Sequence, residues 1–383
     1  MRHHNTVLHQ VLKQIPWSEF DRLVDEHRAD KHVRQLSTRS QLIAMVFAQL
    51  SGAASLREIE CGLKSHATGL YHLGAGGGVK RSTLADANRL RSADVFCTLF
   101  AVLLKQLDRG QRRKLADATY LIDSTSLHLT QRAESWARYS TNVCCAKAHV
   151  IYDPNADRPI YFSISAGNVN DITAAQQMPI QCGATYVFDL GYYDFRWWAK
   201  LDGAACRIVT RLKKNTPLNV IEERAPPQDS LILSDRVGFL PERQSYARKN
   251  PMQNAVREVR VKTDAGKVLR ILTNDLDASA IEIADLYKSR WRIELFFRWI
   301  KQNLKIRHLL GTTLNAVRIQ IATAMIAFLL LRLAQSLQTA IASPLAFARL
   351  VRANIMHRRR IDRLLEHEPR DPPNSDQLVL QWN

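Results

Sequence analysis

Four residues late in the chain have types and spacing suited to chemistry on a phosphodiester. They are Tyr287, Arg290, Glu294 and Lys301, in the run YKSRWRIELFFRWIKQNL. Coiled as a helix at about 100° per residue, they share an arc of roughly 60°. Beside that arc lies an apolar sector of Leu286, Ile293, Phe296, Phe297, Ile300 and Leu304. One face can therefore enter a core while the neighbouring stripe meets a ligand. Between Tyr287 and Arg318 stand many bases and a single acid, Glu294. A lone carboxylate in that setting has two readings. It is a functional acid, or it is one half of an intrahelical ion pair with Arg290 or Arg298.

Two aspartates are candidates to act with it. Residues 120–127 and 185–189 read as short buried strands, and each apolar run reaches an aspartate, Asp123 or Asp189. In α/β sheets functional side chains gather outside the carboxyl ends of parallel strands. With Glu294 arriving on a helix packed across them, Asp123 and Asp189 would form a cage of hard oxygen ligands. Such a cage suits Mg2+, and Mn2+ can substitute. Two such ions about 4 Å apart can activate a water or a 3′-hydroxyl and stabilise the leaving oxygen of a phosphodiester. Arg290 and Lys301 can then hold phosphates of the strand being cut, with Arg298 and Lys305 extending the basic stripe. Taken alone, each aspartate is equally a turn former. The combination carries the reading.

To hold these groups the chain needs a mixed α/β frame, and its periodicity changes where one would begin. Residues 1–115 read as helical. Thr38-x-x-Gln41 and Ser55-x-x-Glu58 both match the capping-box pattern. After a glycine-rich turn at 74–78, a helix bearing Arg81, Asn88, Arg89 and Arg91 follows. This is compatible with a helix-turn-helix DNA reader and equally with a plain helical bundle of basic surface. From about residue 116 strands begin. Residues 146–152 and 159–165 form a hairpin about Asp153-Pro154-Asn155. Lys147 and His149 alternate on one strand face, as DNA contacts or as satisfied surface groups. Asp171 is placed as a helix N-cap, and Trp197 and Trp198 read as core. Residues 214–280 are polar, proline-bearing and then β-alternating, a β-rich insertion. Residues 281–340 return to the core with the Glu294 helix and an apolar helix. The segment 319–331 is too short for a bilayer span, so that helix reads as buried. Residues 341–383 give a basic helix and a tail.

Composition narrows the partner. The 383 residues carry a net charge of +18, which implies a polyanion, nucleic acid first among them. The six cysteines form no CxxC pair and no spaced Cys/His cluster. Neither a zinc site nor a disulfide framework is expected. A reducing, cytoplasmic location at the nucleoid fits.

The run Tyr-x-x-Arg-x-x-x-Glu-x6-Lys, met without a gap by Tyr287, Arg290, Glu294 and Lys301, resembles the signature of bacterial DDE transposases of the insertion-sequence-four family. The blocks Ile122-Asp123-Ser124-Thr125, Phe188-Asp189-x-Gly191-Tyr192 and Val209-Thr210-Arg211-Leu212-Lys213 resemble the family's other motifs. The resemblance implies a ribonuclease H-like catalytic core, an insertion before the glutamate and a helical domain in front. About 105 residues separate Asp189 from Glu294, far more than an ordinary connection. It implies Mg2+ held by Asp123, Asp189 and Glu294, and phosphate contacts from Tyr287, Arg290 and Lys301. The activity implied is cutting of double-stranded DNA at the inverted repeats of an insertion sequence and joining of 3′-hydroxyls to target DNA, by a homodimer in the synaptic complex. Further DNA contacts are expected from Lys147, Arg81 and Arg89. Some relatives stack a flipped base on a tryptophan of the insertion. Here Phe239 or Tyr246 would have to serve. The alternatives are a non-catalytic DNA-binding repressor derived from a transposase, and another ribonuclease H-like nuclease.

Overall fold

The computed structural model describes residues 5–67, 78–108, 118–228, 230–245, 248–304, 306 and 308–365. The part before residue 109 is helical: α1 (Val7–Leu12), α2 (Trp17–Glu26), α3 (Thr38–Ser51), α4 (Leu56–Ser65), α5 (Arg81–Leu90) and α6 (Asp94–Asp108). The two capping patterns meet different fates. At α4 the Ser55 cap forms as expected, Glu58 N–H donating to Ser55 Oγ at 3.2 Å, while Glu58 Oε2 reaches back one residue beyond the cap to Ala54 N–H at 3.0 Å. At α3 the cap is Ser37, one residue earlier than expected, accepting from Ser40 N–H at 3.1 Å. Gln41 is buried there, and its amide donates to Asn88 Oδ1 at 2.7 Å. A fully buried amide with a partner across the core has no reason to turn back to the helix start.

The sheet begins with β1 (Thr119–Leu129), β2 (Arg138–Ser140), β3 (Val143–Asp153) and β4 (Arg158–Ala166). After α7 (Asp171–Ala175) come β5 (Thr185–Val187), α8 (Phe195–Gly203) and β6 (Arg207–Arg211). Strands β1, β3 and β4 are antiparallel neighbours, while β5 and then β6 lie parallel to β1. Three antiparallel strands continued by two parallel ones, with helices between, make the ribonuclease H-like core. Residues 214–275 contribute β7 (Asn219–Arg224), β8 (Ile232–Phe239), β9 (Arg243–Ser245), β10 (Arg248–Lys249), β11 (Val256–Lys262) and β12 (Val268–Thr273). Strand β12 pairs antiparallel with β6, so β12, β11, β8 and β7 prolong the same sheet. Strands β9 and β10 pair apart from it.

Alternation along the strands sends side chains to two cores. Leu121, Val187 and Val209 join one, and Tyr120, Ile122, Tyr186, Phe188 and Ile208 join the other. The second core is aromatic and includes Trp197 and Trp198 of α8. The first is covered by α9 (Ala280–Ser289), α10 (Trp291–Asn303) and α11 (Leu314–Ser336), with α12 (Pro344–Asn354) behind. Helix α11 packs on α1, α3, α5, α6, α12 and β4. The helices before the sheet and those after it therefore share one core. The apolar helix has 23 residues, enough by length and composition to cross a membrane. Most of it is buried inside the protein, which accounts for its being apolar on every side.

Candidate active site

The last parallel pair between β1 and β5 is Leu121 with Val187. Two residues further along each chain stand Asp123 and Asp189, side by side at one edge of the parallel pairing. Strand β1 does not end at Asp123. It runs on to Leu129 because β3 continues to pair with it, Asp123 lying opposite Val150. What ends there is the parallel neighbour. Each aspartate is held by a local N–H: Ser124 N–H donates to Asp123 Oδ1 at 2.8 Å, and Gly191 N–H to Asp189 Oδ1 at 2.8 Å.

Glu294 is delivered by α10, whose Ile293, Phe296, Phe297 and Ile300 are buried in the first core. The helix expected from residue 287 in fact starts at Ala280, capped by Ser279, which accepts from Glu282 N–H at 3.1 Å. It is interrupted at Arg290, where Arg290 N–H donates to Tyr287 O and Ile293 N–H to Arg290 O, each at 3.2 Å. These are tight three-residue turns. From this joint the Arg290 guanidinium reaches two carboxylates. Nη1 lies 3.2 Å from Asp123 Oδ2, and Nη2 lies 2.6 Å from Glu294 Oε1. The intrahelical pair thus exists, and the same arginine ties it to a strand 167 residues earlier.

The charge is not balanced by that arginine. The Asp123 carboxyl is pushed up to about 7, first by burial and then by Asp189 and Glu294, against the Ser124 N–H and Arg290. A partly buried carboxylate cluster with one guanidinium still favours a further cation. The donors are hard oxygens, which fit Mg2+ or Mn2+. Among the described residues no three His, Cys, Asp or Glu side chains are already drawn together tightly enough to hold a metal ion. Asp123 and Glu294 instead share Arg290.

The remaining candidates divide. Tyr287 is buried, its ring 6.0 Å from Arg290 Cζ. Lys301 is half-buried and Arg298 exposed on α10. Lys305 lies outside the described residues, as do Tyr246 and most of the glycine-rich turn. Arg81 and Arg89 are exposed on α5, Arg89 beside Asp86 at 3.1 Å. Lys147 is not presented to solvent: its Nζ donates to Asp171 Oδ1 at 3.2 Å and Val169 O at 3.0 Å. Asp171 is not the cap either. Asn170 holds that position, and the Asp171 side chain turns to β1 and β3. Two features escaped the sequence reading. One is the placement of Asp171 against Ser124 and Lys147. The other is a cleft of about 400 Å3 between the β8–β11–β12 extension and α9, running to Tyr287, Arg290 and the exposed Trp291. Trp291 sits outside the insertion, where a tryptophan was sought.

Residues 114–330, more than half of the chain, match the family described as "Transposase DDE domain". Residues 3–76 match one described as a domain of unknown function, DUF4372. The protein y4zB of Sinorhizobium fredii (strain NBRC 101917 / NGR234), named as a transposase, is 39% identical over 293 residues, 76% of this chain and 81% of its own length. The protein of insertion sequence element IS5377 from Geobacillus stearothermophilus, also named as a transposase, is 30% identical over 255 residues, 66% of each chain. Among solved structures a looser likeness is to the cryo-EM structure of the piggyBac transposase synaptic complex with hairpin DNA. It has a TM-score of 0.43 and 11% identity, covering 91% of this chain and 77% of that one. By its matched domain and its relatives, the chain belongs to the DDE transposases of bacterial insertion sequences, the insertion-sequence-four family, enzymes that work with divalent metal ions.

Proposed function

We propose that this transposase binds the terminal inverted repeats of its own insertion sequence, cuts double-stranded DNA there by metal-dependent hydrolysis, and joins the freed 3′-hydroxyls to target DNA. The observation that supports it best is that Asp123 and Glu294 share one arginine while Asp189 acts on Asp123 from the neighbouring strand, all on elements far apart in sequence. Asp123, Asp189 and Glu294 would hold Mg2+. When bound, the ions supply an activated water or 3′-hydroxyl and charge stabilisation at the leaving oxygen. The chain's own residues do the rest. Arg290 offsets part of the charge of Asp123 and Glu294 and is placed to reach a DNA phosphate, with Tyr287, Lys301 and Arg298 along the same helix pair. The cleft ending at Trp291 can take an unpaired base, which favours a hairpin intermediate. Synapsis of two ends calls for a homodimer on DNA, acting at the nucleoid in the cytoplasm.

End binding is assigned to the helical N-terminal domain, residues 1–115. A groove of about 690 Å3 lies between the loop after α2 and helix α5. Arg28, Lys31 and Arg34 line it, all exposed, and among the described residues none is in an ion pair. The loop's acid, Asp30, is turned inward onto Thr38 N–H at 2.7 Å. Bases therefore face the groove, as a phosphate backbone requires.

The test is Glu294→Gln with the element's ends and Mg2+. Cleavage should be lost and end binding kept, because a neutral amide is a poor ligand for Mg2+. Cleavage at the wild-type rate would sink the carboxylate assignment.

A further inference from the structure

We propose that Asp171 is a positioning residue that sets the spacing of Asp123 and Asp189 from behind the metal site, with Lys147 as its dedicated counter-ion. The inference rests on the assignment of Asp123 and Asp189 as metal ligands.

Asp171 touches the neighbours of both aspartates. Its Oδ1 accepts from Ser124 Oγ at 2.9 Å, and Ser124 is the residue whose N–H holds Asp123. Its Oδ2 faces Gly191, the residue whose N–H holds Asp189. A Cβ at Gly191 would stand 3.1 Å from Asp171 Oδ2 and 3.0 Å from Asp189 Oδ1, so a side chain there would press on both carboxylates at once. Glycine lets the two turns close on each other. The loop carrying Asp171 is itself pinned. Gly167 N–H donates to Cys145 O at 2.7 Å, and a Cβ at Gly167 would meet Cys145 Cβ at 2.8 Å. The brace therefore links β1, β3, α7 and the turn after β5.

A third carboxylate this close would repel the other two unless compensated. Lys147 compensates it: its side chain is 19% exposed, and its ammonium bonds Asp171 Oδ1 and Val169 O and is fixed by both. His149 completes the wall. It is fully buried, its Nδ1 is 3.7 Å from Asp171 Oδ1, and its Nε2 is bonded to Ser165 Oγ at 2.8 Å. With Oδ1 bonded in this way and Oδ2 set against Gly191, Asp171 acts on the site through Ser124 and Gly191.

The experiment uses the full chain and Mn2+ as the probe. Mn2+ affinity is read by electron paramagnetic resonance without DNA, end-DNA affinity by fluorescence anisotropy, and the Mg2+ concentration for half-maximal cleavage by assay. Asp171→Ala should weaken Mn2+ binding about tenfold or more, as loss of an outer partner does. The Mg2+ requirement should rise in parallel while end-DNA affinity stays unchanged. Asp171→Asn, which still accepts from Ser124 and Lys147, should restore most of the loss. Should Asp171→Ala fold poorly, Ser124→Ala cuts the same link with little loss of packing and should weaken Mn2+ binding about threefold, a smaller share of the same effect. Wild-type Mn2+ affinity in Asp171→Ala, or in Ser124→Ala, alongside its loss in Asp123→Asn, overturns the brace alone. Wild-type Mn2+ affinity in Asp123→Asn and Asp189→Asn overturns the ligand assignment and the brace with it.

Discussion

Helices α5 and α10 look alike in sequence, each amphipathic and each carrying polar and basic residues beside an apolar face. The fold uses them in opposite ways. In α5, Asn88 is buried and bonded to Gln41, and Arg91, just past the helix end, donates to Gln41 Oε1 at 2.9 Å and to Leu36 O. Residues that a helical wheel offers to DNA are there the polar glue of a helical core. In α10 and its joint, Glu294 and Arg290 turn to Asp123, a carboxylate on another element. The difference lies in what stands opposite. Facing α5 are the Gln41 amide of α3 and the Leu36 carbonyl just before it. Facing α10 is the edge of a parallel strand pair that carries two acids. A basic helix becomes a candidate site when its partner surface is charged and incompletely neutralised.

The largest effect tests that contrast directly. Asp189→Asn should lower cleavage by about 10³-fold or more, as removal of a group that stabilises transition-state charge does, with little change in stability. Arg91→Ala should do the reverse. A guanidinium that is 9% exposed holds Leu36, Gln41 and Asp30 together, and its removal should cost roughly 3 kcal/mol. Urea unfolding reads the second, and a cleavage assay on the folded fraction reads the first. Loss of cleavage in well-folded Arg91→Ala would move α5 into the catalytic machinery and erase the distinction.

Much of this was legible beforehand, and the failures share a cause. The strands to Asp123 and Asp189, the hairpin on Asp153 and the Glu294 helix all follow from apolar runs and turn residues, which are local signals. Long-range partners left no such mark. Nothing near Thr38 says that Gln41 will bond Asn88, 47 residues on. Nothing near Asp171 says that its Oδ1 will accept from Ser124 and Lys147 instead of its own helix. In the sequence, an Arg290–Glu294 pair and a functional Glu294 read as alternatives. They coexist, because a guanidinium has donors for two carboxylates.

A smaller effect concerns the charge at Asp123. Its carboxyl is raised to about 7 by burial, Asp189 and Glu294, against about 3.9 in an unfolded chain. Between these values the folded, metal-free protein binds the proton more tightly than the unfolded one. The resulting stability is fully present below about pH 4 and is lost as pH rises through 7. In EDTA, Asp123→Asn should therefore gain on the wild type by about 1–3 kcal/mol between pH 5 and pH 8. The wild-type-minus-variant difference in urea unfolding isolates this group from the other carboxylates. A flat difference across that range would mean that Arg290 alone balances the cluster.

The finest comparison lies within the N-terminal helices, between the groove and the exposed face of α5. Each phosphate released from contact lowers the slope of log affinity against log salt by about 0.9. Changing Arg28, Lys31 and Arg34 together to Ala should reduce that slope for end DNA by about 2 to 3. Changing Arg81 and Arg89 should reduce it by about 1 or less, since Arg89 already sits 3.1 Å from Asp86. Both sets are exposed, so neither change should disturb folding. If the order came out reversed, α5 would be the surface that meets the duplex. The two basic helices would then share one proposed role, each offering its charge to DNA.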